Sequence, residues 1–221
     1  MPRHVFVAGG TGYIGRHLLP VLLARGHRVR TLVRRGSEAK APSGCEVVGG
    51  DPFDRRTFAG AIAPCDTFLQ LVGVPHPSPS KARQFVEIDL RSAVESIEAA
   101  REHGLAHFIY VSVAQPAPVM QAFQNARREA ERVLIASGLT RTILRPWYVL
   151  GPGHRWPYLL IPVYWLLERM PSTRASAQRL GLVTLVQMVH ALVDAVEHPP
   201  GRERIVEVPE IRRGRGLSVG L

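Results

Sequence analysis

The segment His4-Val-Phe-Val-Ala-Gly-Gly-Thr-Gly-Tyr-Ile-Gly15 sets the terms for the rest of the chain. Its apolar run, Val5, Phe6, Val7 and Ala8, has the length of a buried strand. The run breaks at Gly9-Gly10, and apolar residues return at helical spacing in Ile14, Leu18, Leu19, Leu22 and Leu23. Gly10, Gly12 and Gly15 satisfy G-x-G-x-x-G, while Gly9, Gly12 and Gly15 satisfy G-x-x-G-x-x-G. Between a strand and a helix such glycines have separate physical uses: a tight turn, close approach of backbone to a pyrophosphate, and close packing of helix on strand. The positive end of the helix then faces the phosphates. Gly9, Gly10, Thr11, Gly12, Tyr13, Ile14 and Gly15 are therefore the predicted cradle of a dinucleotide.

Outward from this start, strands alternate with helices. Arg28–Val33, residues 46–49, 67–72, 107–112, 140–144 and 204–208 read as strands. Residues 55–62, capped by Asp54, and residues 80–102, 120–137 and 185–197, the last capped by Thr184, read as helices. Val74-Pro-His-Pro-Ser-Pro79 is too rich in proline for a helix or a central strand. The alternation predicts an α/β architecture, a doubly wound, mostly parallel sheet with helices on both faces. Residues 1–221 read as one domain, with 147–221 contributing a small substrate or contact subregion.

The end of the second strand separates the two nicotinamide dinucleotides, because a carboxylate there binds the ribose 2′-OH of NAD and an arginine accommodates the 2′-phosphate of NADP. No acid precedes Glu38, and Arg34-Arg35 stands in its place, which favours NADP while leaving NAD open. Asp51, with Pro52 after it, lies past the third strand and either meets the adenine side or forms an Asx turn. Leu71, Val72 and Gly73 end the fourth strand at the same crevice.

The formal charge of +10 does not lead to nucleic acid. The basic residues are almost all arginine, Lys40 and Lys81 excepted, and are scattered without aromatic interleaving. The cluster Arg212-Arg-Gly-Arg-Gly216 reads as a frayed, solvated terminus. Cys45 and Cys65 suit neither a disulfide framework nor a metal site. With no secretory apolar region at the start, a cytoplasmic protein without metal is expected.

Taken together, these pieces resemble the atypical or extended short-chain dehydrogenases/reductases, of the NmrA-like kind. The resemblance is carried by Gly9 to Gly15, Leu32-Val-Arg-Arg35, Gly50-Asp51, Tyr110-Val-Ser112, Arg128-Glu-Ala-Glu131, Ser137-Gly-Leu139, Leu144-Arg-Pro146 and Gly151-Pro-Gly153. It implies a Rossmann-type fold, a bound dinucleotide and a small substrate region built from C-terminal insertions. In catalytic members a Tyr, with a Lys four residues later, follows the fifth strand. The match places Phe123 and Arg127 there. Phe123 has no proton to give, and Arg127 keeps a charge for ribose or phosphate but cannot shuttle protons. Ser112 keeps the family's serine position, either to polarise a carbonyl or to bond ribose or backbone. Tyr148 is a second candidate acid from another direction.

Residues 156–167 (Trp-Pro-Tyr-Leu-Leu-Ile-Pro-Val-Tyr-Trp-Leu-Leu) are too short and too proline-broken to span a membrane. They read as a pocket wall, a subunit contact, or an interfacial anchor backed by Arg155, Arg169 and Arg174. This leaves a small-molecule or protein partner at 147–170, and a homodimer, open. The leading expectation is an NADP(H)-binding protein without the Tyr/Lys dyad, acting as a cofactor-responsive sensor, regulator or assembly factor. The alternatives are an NADP(H)-dependent oxidoreductase or epimerase with a non-standard acid, and an accessory subunit of a larger complex.

Overall fold

The computed structural model describes residues 1–152, 169–170 and 174–214. Strands β1 (His4–Ala8), β2 (Arg28–Val33), β3 (Glu46–Gly49), β4 (Thr67–Gln70), β5 (His107–Val111), β6 (Arg141–Arg145) and β9 (Glu203–Glu207) form one sheet in the order β3-β2-β1-β4-β5-β6-β9. Every pairing in it is parallel, with Val5 opposite Val29 on one side and Thr67 on the other. A second, two-stranded parallel sheet joins β7 (Tyr148–Leu150) to β8 (Leu182–Thr184).

Side chains alternate across the pleat, so β1 feeds two cores. Val5 and Val7 point to the face covered by α1 (Gly15–Ala24) and α5 (Leu185–Glu197), where Leu18, Leu19, Leu22, Leu192 and Val193 are fully buried. Phe6 and Ala8 point to the other face. There Phe68 lies 5.1 Å from Phe6 and 5.2 Å from Phe108, ring centre to ring centre, making an aromatic ladder across neighbouring strands. That face is closed by α2 (Arg91–Glu102) and α3 (Gln121–Ala136), with Ala93, Ile97, Ala100, Ala130 and Leu134 turned inward.

Three elements differ from the sequence reading. Asp54 caps as expected, its side chain accepting the Arg56 N–H, but residues 55–62 hold two 3₁₀ turns, Arg55–Thr57 and Ala59–Ala61, in place of an α-helix. Residues 80–102 begin with a 3₁₀ turn and one α-turn, pass through a π-helical segment Phe85–Leu90, and only then become α2. The tail is not wholly frayed: Arg212 and Arg213 end α6 (Val208–Arg213), and Arg212 Nε donates to the Leu182 carbonyl at 2.8 Å. The short helix α4 (Arg174–Arg179) precedes β8. Among the described residues no helix is long and apolar enough to cross a membrane. Residues 156–167 and Arg155 lie outside the described residues.

Candidate functional site

The sheet order reverses between β1 and β4, and ligands of such sheets sit beyond the strand ends at that point. Two adjoining cavities open there, of about 530 and 590 Å³, and both are bordered by Gly9, Gly12, Leu71, Gly73 and Pro75. Together they form one groove across the carboxyl ends of the central strands.

The glycine loop is built by close approach. Gly9 has φ of +88°, and a Cβ on it would stand 2.8 Å from the Leu71 carbonyl carbon and the Val72 nitrogen. A Cβ on Gly15 would lie 2.6 Å from Gly10 Cα, so the helix sits directly on the loop. Gly10 is packed against Thr31 and Leu19 and does not border the groove. Gly12 does: an added Cβ would meet only the Gly9 carbonyl oxygen, at 3.1 Å. The first turn of α1 carries no acidic residue and no side-chain cap, which leaves its positive end to a ligand. This cradle fits a dinucleotide diphosphate.

The first cavity lies toward the ends of β2 and β3. Thr11, Leu32, Val72, Pro52 and Phe53 form its walls, with Arg34, Ser37 and Lys40 at its rim. Arg35 is exposed and does not border the cavity, whereas Lys40 does. Asp51 settles on the turn: its Oδ1 accepts the Phe53 N–H at 2.9 Å, and the carboxylate does not border the cavity.

The second cavity brings Tyr13, Ile14, Ser112, Phe123, Arg127 and Tyr148 together with His76 and Trp147. The Phe123 ring packs 5.0 Å from that of Phe85. Arg127 borders this cavity and is anchored through both terminal nitrogens. Nη1 donates to the Val111 carbonyl at 2.6 Å, and Nη2 is paired with Asp89, whose other oxygen accepts the Val74 N–H at 3.0 Å. Burial pushes the Asp89 carboxyl up even against that guanidinium.

Ser112 Oγ donates to Glu131 Oε1, and burial pushes the phenol of Tyr148 above its ordinary value, keeping it protonated. The Tyr148 ring stands edge-on to Trp147, 5.5 Å away. Tyr110, one strand residue from the cavity wall, faces the opposite core, fully buried, with its phenol pushed up to about 12 by burial. Among the described residues no cluster of three potential metal ligands occurs.

Sequence reasoning did not single out His76, Trp147, Ser37, Lys40, Phe53 or Glu131. His76 had one usable signal, its place between two prolines after β4. It takes φ of +49°, and Lys81 Nζ bonds the carbonyls of Pro75 and His76 at 2.6 and 3.1 Å, fixing the loop.

The comparisons agree with this geometry. Residues 9–155 match the model of a family described as NAD(P)H-binding. The chain is 30% identical to the ceramide reductase of Caulobacter vibrioides over 216 residues, 95% of this chain and 65% of that protein. It is 30% identical over 177 residues to the 3-diazoavenalumate denitrifying reductase of a Streptomyces species, 67% of this chain and 57% of that one. The chain thus spans less than two thirds of either relative. Its fold resembles the Bordetella bronchiseptica enzyme WbmH, solved with NAD⁺, at a TM-score of 0.69 and 19% identity, covering 92% of this chain and 75% of that one. The glycine cradle, the switch-point groove and the matched family model agree that the chain belongs to the NAD(P)H-binding family of the atypical and extended short-chain dehydrogenase/reductase superfamily.

Proposed function

We propose that this chain is an NADP(H)-dependent oxidoreductase for a small apolar substrate, working in the cytoplasm without the Tyr/Lys dyad. The observation that carries this reading is the second cavity. It adjoins the cofactor groove, and Phe123, Val113, Trp147 and Val149 on its walls suit an apolar body while Ser112 and Tyr148 supply the polar contacts. The bound nicotinamide supplies hydride chemistry. Tyr148, held protonated by burial, donates a hydrogen bond to a substrate carbonyl, and the apolar walls exclude water. Similarity to two reductases supports the same reading.

Arg34 and Lys40 at the adenosine rim favour NADP over NAD, since two cations there suit a 2′-phosphate. Changing both to Ala is expected to weaken NADPH by about a hundredfold and NADH by less than about threefold. Equal losses contradict the 2′-phosphate assignment. Turnover is tested by following NADPH absorbance with aldehydes, ketones and quinones. Loss of turnover by about 10²-fold in Tyr148→Phe supports the reading, in line with the usual contribution of an acid.

A second reading is favoured by Phe123 and the engaged Arg127. The chain then binds NADP(H) and responds to it as a sensor, regulator or assembly factor without turning it over. Tight NADPH binding with no oxidation across the substrate panel selects this reading over the first.

A further inference from the structure

Glu131 does not border the groove, yet it decides what Ser112 offers to it. Buried behind β5, its carboxylate receives four hydrogen bonds: Oε1 from Ser112 Oγ at 2.5 Å, Gln115 Nε2 at 3.1 Å and Arg145 Nε at 3.0 Å, and Oε2 from Arg145 Nη2 at 2.6 Å. Arg145 is held in turn by Glu207 at 3.0 Å. The arginine and amide nitrogens are donors only, so the Glu131 carboxylate is the acceptor in each of these bonds. Ser112 has a single hydroxyl proton, and the short bond to Glu131 claims it.

We infer that Glu131 fixes Ser112 as a hydrogen-bond acceptor toward the groove, so that this point of the site recognises a ligand hydroxyl and not a carbonyl. The family resemblance leaves Ser112 either polarising a carbonyl or bonding ribose or backbone. With its proton committed, it presents lone pairs only, and the contact to a carbonyl falls to Tyr148. The hydroxyl comes either from the nicotinamide ribose or from the alcohol form of the substrate. Glu131 is accordingly a positioning residue acting through Ser112. The inference rests on the cofactor reading above for its ligand, but the direction of the Ser112 proton does not.

Proton NMR reads that direction without any ligand. A downfield, slowly exchanging hydroxyl resonance, absent in Ser112→Ala and lost in Glu131→Met, is expected; its absence from the parent protein overturns the inference. Arg145 keeps Glu207 in Glu131→Met, and Ser112→Ala serves alone if that variant does not fold. The source of the hydroxyl is read by calorimetry. If it is the ribose, Ser112→Ala weakens NADPH by about tenfold and leaves 2′,5′-ADP, which has no nicotinamide ribose, unchanged. If it is the substrate, Ser112→Ala leaves NADPH unchanged and, at saturating NADP⁺, weakens cyclohexanol but not cyclohexanone. Unchanged binding of both NADPH and cyclohexanol in Ser112→Ala overturns the inference. Failure of 2′,5′-ADP to bind the parent protein instead counts against the cofactor reading.

Discussion

At Gly15 one added methyl group would stand 2.6 Å from backbone atoms of Gly10, and neither backbone can retreat without lifting α1 from the sheet. Gly15→Ala is expected to destabilise the protein by about 2 kcal/mol, an overpacking cost, measured by urea denaturation. Gly12 is different, since its added Cβ meets only one carbonyl oxygen and otherwise opens on the groove. Gly12→Val is expected to keep stability within about 1 kcal/mol of the parent while NADPH affinity falls by at least about tenfold. Comparable destabilisation by both would show that Gly12 is a packing glycine too. Arg127 supplies the other residue-scale prediction. Asp89 is fully buried, and taking its cation away leaves an unpaired charge beneath Gly73. Arg127→Leu is expected to cost about 3–5 kcal/mol, most of it recovered in Arg127→Leu with Asp89→Asn. A loss below about 1 kcal/mol contradicts the anchoring role. The glycine positions were legible because their meaning lies in local spacing. Lys40 was not, because a loop's path decides which cation reaches the rim, and the charge at Arg35 looks identical in sequence to the charge at Arg34.

Among the elements, the helix before β5 shows where pattern reading stops. The sequence reading groups Ile88 and Val94 with Phe85 and Ile97 on one side of residues 80–102, but at 3.6 residues per turn Val94 stands half a turn away from Phe85. Polar residues fill the buried side instead: Asp89, Ser92 and Ser96, four, seven and eleven positions after Phe85, are buried with it across the π-helical segment Phe85–Leu90 and the start of α2. Ser92 then meets buried Gln70 at 3.0 Å, and Asp89 meets Arg127. By contrast α5 was legible from its first residue. Thr184 accepts the Gln187 N–H at 3.1 Å and Gln187 answers at 2.8 Å, a reciprocal cap. Thr184→Ala is expected to cost about 1 kcal/mol by denaturant titration, and no loss would contradict the cap. Strand β5 carries a pH dependence. His107 is buried, bonds Thr142 at 2.9 Å, and has its pKa lowered from 6.5 to about 4, chiefly by burial. The unfolded chain therefore binds a proton that the folded one refuses between those values. Stability from this group is full above pH 6.5 and falls as pH drops toward 4, by up to about 3 kcal/mol. Denaturation at pH 7.5 and 5 is expected to show the fall in the parent and a smaller one in His107→Asn. Parallel curves would contradict it.

For the whole molecule, alternation of strand and helix was enough to give a parallel sheet, because parallel strands require crossovers and most of the crossovers were visible as helices. The strand order β3-β2-β1-β4-β5-β6-β9 then results from right-handed winding to either side of β1, and it places the groove where the winding reverses. Sequence alone did not supply the meeting of distant loops: the Pro75–Pro77 loop, Ser112 at the end of β5, Phe123 and Arg127 on α3, and Trp147 and Tyr148 leading into β7 all border one cavity. Their convergence depends on the fold and not on their spacing in the chain. The account turns on a dinucleotide lying along that groove with its diphosphate at the amides opening α1. Isothermal calorimetry with NADPH, on the parent and on Gly12→Val, tests this most directly. One-site binding by the parent in the micromolar range, with heat lost in Gly12→Val, is the expected result. No heat from NADPH or NADH at millimolar concentration in the parent, or equal affinity in the variant, would contradict the account.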